Sequence, residues 1–93
     1  MIMDIRHEAD GTKGRFTTGE GDSEMTYVRV GETLVIFDHT FVPDRYRGQG
    51  LAGKLLAAGV DWARAENLKV IPQCPFARTE FDRKPEYRDV LKE

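Results

Sequence analysis

Arg45-Tyr46-Arg47-Gly48-Gln49-Gly50-Leu51-Ala52-Gly53-Lys54 is the stretch on which the reading of this chain turns. Two arginines lead into clustered glycines, and the glycines lead into an apolar-periodic segment that predicts a helix. The opening turn of a helix has backbone N–H groups without intrahelical partners and carries the positive end of its dipole, so it attracts phosphate. Glycines let a ligand come close to the backbone, and arginines add charge and fork-shaped donors. The stretch reads as a pyrophosphate cradle.

Downstream, the predicted helix runs from Gly50 to Glu66, with Ala52, Leu55, Leu56, Gly59, Val60 and Ala63 as its apolar stripe and Leu51 and Trp62 at the margins. Asn67 suits a left-handed cap. Gly53 and Gly59 each cost about 1 kcal/mol relative to alanine in a helix interior, which points to close packing at both. Lys69 to Pro72 predicts a short strand, and the tail to Leu91 predicts short helical turns. Upstream, strands are expected at residues 2–7, 13–20, 24–30 and 33–42, joined by turns at Glu8 to Gly11, Gly19 to Asp22 and Gly31-Glu32. In the last of these, Val35, Phe37, His39 and Phe41 fall on one face. Leu34, Ile36, Asp38 and Thr40 fall on the other. Both faces begin apolar, as for a central strand covered on each side. A strand, a crossover helix and a further strand form a right-handed unit, so residues 69–72 should run parallel to 33–42. The fold class is α+β: a four- or five-stranded, mostly antiparallel mixed sheet with one long helix.

Ninety-three residues, 40% apolar and 32% charged, predict one soluble domain spanning 1–93. A net charge of −2 argues against a dedicated nucleic-acid binder. The single cysteine, Cys74, excludes an internal disulfide. No apolar run approaches the ~20 residues of a membrane span, and residues 1–6 do not resemble a signal peptide. A cytoplasmic location is the expectation; oligomeric state has no sequence marker.

Three motifs overlap on the glycine stretch. Gly48-x-Gly50-x-x-Gly53 fits a dinucleotide fingerprint, but Pro43 to Arg47 separate it from the strand, the earlier strands are antiparallel, and the acidic ribose position falls near Gln73. Gly48-x4-Gly53-Lys54 fits a phosphate loop, but Leu55 stands where a hydroxyl must hold Mg²⁺. The third pattern is Arg45-x-x-Gly48-x-Gly50 followed by Leu51-Ala52 inside a helix. It resembles the (Gln/Arg)-x-x-Gly-x-(Gly/Ala) signature of the GNAT superfamily of N-acetyltransferases. His39, Arg47 to Gly50, Pro72-Gln73-Cys74-Pro75-Phe76 and Pro85-Glu86-Tyr87 together resemble the short stand-alone members of that superfamily.

The resemblance implies acetyl-CoA as cosubstrate, no metal, and a primary amine as acceptor. Its pantetheine arm would lie between splayed strands beside Thr40, Phe41 and Val42. Its diphosphate would lie on Arg45, Arg47, Gly48, Gln49, Gly50, Leu51 and Ala52. A lysine amine, with an ordinary pKa near 10.4, costs about 4.6 kcal/mol to neutralise at pH 7, so such an acceptor needs a general base or desolvation. His39 is the candidate base, the competing reading being a hydrogen-bonded strand histidine. Cys74 reads as an acyl-carrying nucleophile, a general acid, or a small buried hydrophobe. Tyr87 reads as an alternative acid or as an aromatic anchor. Arg78, Arg83 and Lys84 form a basic cluster that meets either a phosphate or solvent. His7 stands too isolated in sequence to pair with anything. The enzyme reading competes with a CoA-binding module that does not turn over.

Overall fold

A computed structural model describes residues 4–18, 23–46 and 48–93. Five strands lie in chain order in one sheet: β1 (Ile5–Asp10), β2 (Lys13–Thr18), β3 (Ser23–Val30), β4 (Leu34–Phe41) and β5 (Lys69–Pro72). The first four pair antiparallel, and β5 runs parallel to β4 across the crossover helix α1 (Leu51–Ala65). The first hairpin turns two residues later than the expected Glu8 to Gly11, and β1 runs on past the expected end at His7. Asp10 still pairs with Lys13, and Gly11 takes a left-handed φ of 64°. The expected strand start at Ile2 and the turn at 19–22 lie outside the described residues. The tail is more regular than isolated turns: α2 (Pro75–Arg83) is a nine-residue α-helix, followed by 3-10 geometry over Pro85–Val90.

Helix α1 forms because its apolar residues recur on one side. Leu51, Leu55, Leu56, Gly59, Val60 and Ala63 are buried, with Leu51 rather than Ala52 opening the stripe. Asn67, at φ 57°, ends it in the left-handed region, as expected. The two helical glycines have separate causes. A Cβ on Gly59 would stand 2.5 Å from Met25 Cε and 3.0 Å from Phe37 Cζ, so the helix rests directly on the sheet there. A Cβ on Gly53 would meet nothing within 4 Å, so close packing does not explain it.

The core lies on one face of the sheet. Phe16, Met25, Tyr27, Val35 and Phe37 pack with Leu55, Leu56, Val60, Phe81 and Tyr87. Among the described residues no helix packs on the opposite face: Leu34 and Ile36 are half-buried and Val30 and Phe41 are each 46% exposed, although Thr17, at the far end of that face, is buried. The expectation of a doubly covered β4 is therefore corrected. Both helices sit on the Phe37 side.

His7 is not isolated. Its ring stacks on Phe16 at 4.3 Å, meets the Trp62 edge at 5.1 Å, and its Nε2 lies 2.5 Å from the Tyr27 hydroxyl. Desolvation in this aromatic cluster lowers its pKa, opposed by the nearby negative charge of Glu66.

Candidate functional site

The β3–β4 ladder contains one irregularity, and it positions the site. Tyr27 pairs with Phe37 and Thr26 with His39, so Asp38 is an extra residue in β4 with no partner of its own. Such a bulge breaks the strict alternation of side chains. Phe37 lies on the helix face, opposite Tyr27. Beyond the bulge Thr40 returns to that face, opposite the buried Met25, whereas His39 lies opposite Thr26 on the open face. The sequence alternation had placed His39 and Phe41 beside Phe37 and Thr40 on the far side. The bulge reverses that assignment.

The same region ends the β4–β5 ladder. Its last pair is Phe37 with Pro72, and the Phe37 carbonyl then accepts from both Gln73 N (3.0 Å) and Cys74 N (3.1 Å). Beyond this fork β5 gives way to α2, and β4 continues to Phe41 paired with β3 on its other side. Cys74 lies at the fork as the N-cap of α2, 5% exposed, its Sγ accepting from Ala77 N at 3.3 Å. The other polar partner of that sulfur is Thr40 Oγ1, also at 3.3 Å. His39, on the opposite face, is not the neighbour of Cys74. The bulge and the fork thus bring Thr40 and Cys74 together and set His39 apart.

From Phe41 the chain passes through Val42-Pro43 and a 3-10 turn, Asp44–Tyr46, into the glycines. Gly48 (φ 84°) and Gly50 (φ 75°) both occupy the left-handed region. A Cβ at either would meet nothing within 4 Å, so their requirement is conformational and the space beside them is open. Gly50 is the N-cap of α1, and no side chain caps the helix there. First-turn amides without a side-chain cap are available to an acceptor from outside. They face a groove of about 640 Å³ lined on the cradle side by Val42, Tyr46, Gly48, Gly50, Leu51, Ala52, Gly53 and Lys54. Its opposite wall is Phe76, Glu80, Lys84 and Tyr87.

Five of the sequence-nominated cofactor residues, Val42, Gly48, Gly50, Leu51 and Ala52, line this groove. Gln49 is exposed, Phe41 reaches solvent, Thr40 points its hydroxyl at Cys74, and Arg45 stacks over the Tyr46 ring at 4.8 Å. Arg47 lies outside the described residues. Of the far wall, the sequence offered Lys84 to a phosphate or to solvent and Tyr87 as an acid or an anchor, and missed Glu80 and the wall role of Phe76. Within the basic cluster, Arg83 and Lys84 pair with the buried Glu80 at 2.9 and 3.1 Å. The Lys84 ammonium, with its pKa raised chiefly by the Glu80 hydrogen bond, lines the groove as a cation. Tyr87 is buried against Phe81 and serves as an anchor of the tail on the groove wall. Gly53 and Lys54 lay inside the glycine stretch itself. Lys54, one helical turn past Gly50, was the legible signal.

Comparison with known proteins gives concordant results. Residues 15–90 match the family model of the GCN5-related N-acetyl-transferases. Over 74 residues the chain is 39% identical to Protein NATD1 of Homo sapiens and 38% identical to that of Bos taurus, spanning 75% of this chain and 66%, just under two thirds, of each relative. A GCN5-like protein from Staphylococcus aureus, solved by NMR, superposes with a TM-score of 0.72 at 35% identity, covering 94% of this chain and 87% of that one.

Proposed function

Because the chain belongs to the GCN5-related N-acetyltransferase family, we propose that it binds acetyl-CoA in the groove at the start of α1 and transfers the acetyl group to a primary amine. We read residues 1–93 as one such domain. The observation that carries the proposal is the open glycine turn: left-handed Gly48 and Gly50, no capping side chain, and a groove lined by both glycines together with Val42 and Phe76.

The amides of the first turn of α1 bind the diphosphate, assisted by the helix dipole and by Lys54, with Arg45 and Arg47 as the further cations. Lys84 stands across the groove and suits a second phosphate. Beyond the last β4–β5 pair, the backbone of Thr40 and Phe41, with Val42 on the groove wall, receives the amide-bearing arm. When bound, acetyl-CoA supplies an activated thioester carbonyl. His39, exposed on the open face, accepts the proton of an amine arriving from that side. Cys74, held by Thr40 and the Ala77 amide, either returns a proton to the leaving sulfur or takes the acyl group itself. Among the described residues no three His, Cys, Asp or Glu gather to hold a metal, and no helix is long and apolar enough to cross a membrane.

Thermal shift and calorimetry with CoA, followed by CoA release from acetyl-CoA with an amine panel, test this reading. Stabilisation by CoA with acceptor-dependent release is the expected result. Stabilisation without release under any acceptor would leave only a CoA-binding module, and no stabilisation at all would end the proposal. Intact mass of wild type and Cys74→Ala after incubation with acetyl-CoA separates the two roles of sulfur. An adduct of about 42 Da, absent from the variant, marks acyl transfer through Cys74.

A further inference from the structure

We propose that the acceptor binds in a groove on the open face of the sheet, and that Asp38 is its specificity-determining carboxylate, selecting primary alkylammonium cations. The inference rests on the acetyltransferase reading above and names the class of its second substrate. A groove of about 400 Å³ crosses β1 to β4, lined by Glu8, Asp10, Lys13, Arg15, Thr26, Val28 and Asp38 as well as backbone. The register places Glu8, Arg15, Thr26 and His39 in one row across the sheet, and Asp10, Lys13, Val28 and Ile36 in the next. Every one of these side chains has the parity of the uncovered face. The groove therefore opens on the side opposite the glycine turn, with the end of the β4–β5 ladder between them.

Asp38 is there because of the bulge. In a regular strand, adjacent residues point to opposite faces, but a bulged residue escapes that rule. Asp38 lines the open-face groove, beside His39 on the same face, and Thr26 Oγ1 donates to its Oδ1 at 2.6 Å. That bond fixes the carboxylate without neutralising it. Among the described residues no cation forms an ion pair with Asp38. The other charges of the groove are disposed differently. Arg15 is held by Glu8 at 2.7 Å and Glu24 at 3.1 Å, and Lys13 stands at the hairpin end, opposite Asp10. The uncompensated negative charge nearest the ladder end is Asp38, with His39 adjacent to take the proton. Val28 and the aliphatic stems of Lys13 and Arg15 give the groove apolar wall suited to a methylene chain. This volume takes a single extended side chain or a small diamine. Its ammonium would meet Asp38, and its nitrogen, once deprotonated, would lie at the gap.

Titration of the full ¹⁵N-labelled chain with CoA and then with two probes tests this: 1,5-diaminopentane, and a lysine side chain within a short capped peptide. Pentan-1-ol serves as the neutral control. Both amines should move the amides of Thr26, Val28 and Asp38, and pentan-1-ol should not. If only one amine does, that identifies the source of the ammonium, free or peptide-borne, and still supports the site. Asp38→Asn retains an oxygen acceptor for Thr26 and should raise the amine dissociation constant about tenfold, leaving the CoA response at Gly48 and Gly50 intact. Asp82→Asn, on α2 and outside this groove, should leave it unchanged. No amine response at the groove, equal affinity in Asp38→Asn, or an equal or larger loss in Asp82→Asn would overturn the inference. A failure of CoA to move Gly48 and Gly50 overturns the cradle instead, and the two failures are read from separate signals.

Discussion

Both faces of the sheet carry apolar residues, and these meet opposite fates. On one face Met25, Val35 and Phe37 are fully buried beneath α1, α2 and the tail. On the other Val28, Leu34 and Ile36 are half-buried, and Val30 and Phe41 reach solvent. Strand alternation identifies which residues share a side; it does not reveal whether anything lies on that side. The covered face fixes the cradle in place through Gly59 and Leu56. The bare face leaves the bulge accessible, with Asp38 and His39 standing on it.

The largest expected difference is in core substitution. Leu56→Ala should lose about 3 kcal/mol of stability through lost burial and the residual cavity, and Ile36→Ala no more than ~1 kcal/mol. Urea unfolding at neutral pH compares them, and equal losses would mean that the open face is covered in solution. Next is the cradle. Gly50→Val forces a β-branched residue to φ 75° and should cost about 1–2 kcal/mol while weakening CoA binding at least about tenfold. Gly53→Ala, with open space around its Cβ and an ordinary helical conformation, should raise stability slightly and weaken CoA binding through bulk alone. Calorimetry separates the two glycines. Thr40→Val removes one partner of the Cys74 sulfur and should cost roughly 1 kcal/mol, with faster thiol alkylation as the second readout.

The smallest effect is titration in the aromatic cluster. Burial lowers the folded-state pKa of His7 below its ordinary value of 6.5, so the unfolded chain takes up the proton first as pH falls. Stability contributed by the neutral ring is therefore complete above about pH 6.5 and declines as pH falls through 6.5 towards the folded value. His7→Phe retains the stack on Phe16 and should flatten that part of the pH profile. An unchanged slope between pH 7.5 and 5.5 in the variant would assign it to other groups.

Much of the architecture was legible because it is local. The spacing of Leu55, Leu56, Gly59, Val60 and Ala63 marked α1, Asn67 marked its end, and the handedness of crossovers made β5 parallel to β4. The cradle was legible for the same reason, since Gly48 and Gly50 act through their own backbone. Asp38 carried no such mark. Neither glycine nor proline flags the bulge, which depends on pairing with β3 and on the Thr26 hydroxyl. With the bulge hidden, His39 was assigned to the wrong face and Thr40 was not seen as the partner of Cys74. The cluster around His7 was hidden likewise, because it gathers residues from β1, β2, β3 and α1 that only the completed register brings together. The far wall of the groove, Phe76 and Lys84, depends on how the tail folds back.

The carbonyl of Phe37 has a mechanical consequence. Its two lone pairs serve the amides of both Gln73 and Cys74, while the single Gln73 N–H is divided between this oxygen and Ile71 O, both at 3.0 Å, so the ladder stops at a shared donor. Prising the two chains further apart would begin there and would disturb little of the packed layer behind it. A wedge of variable width can in this way be built into an otherwise rigid sheet, its pivot fixed at a single atom.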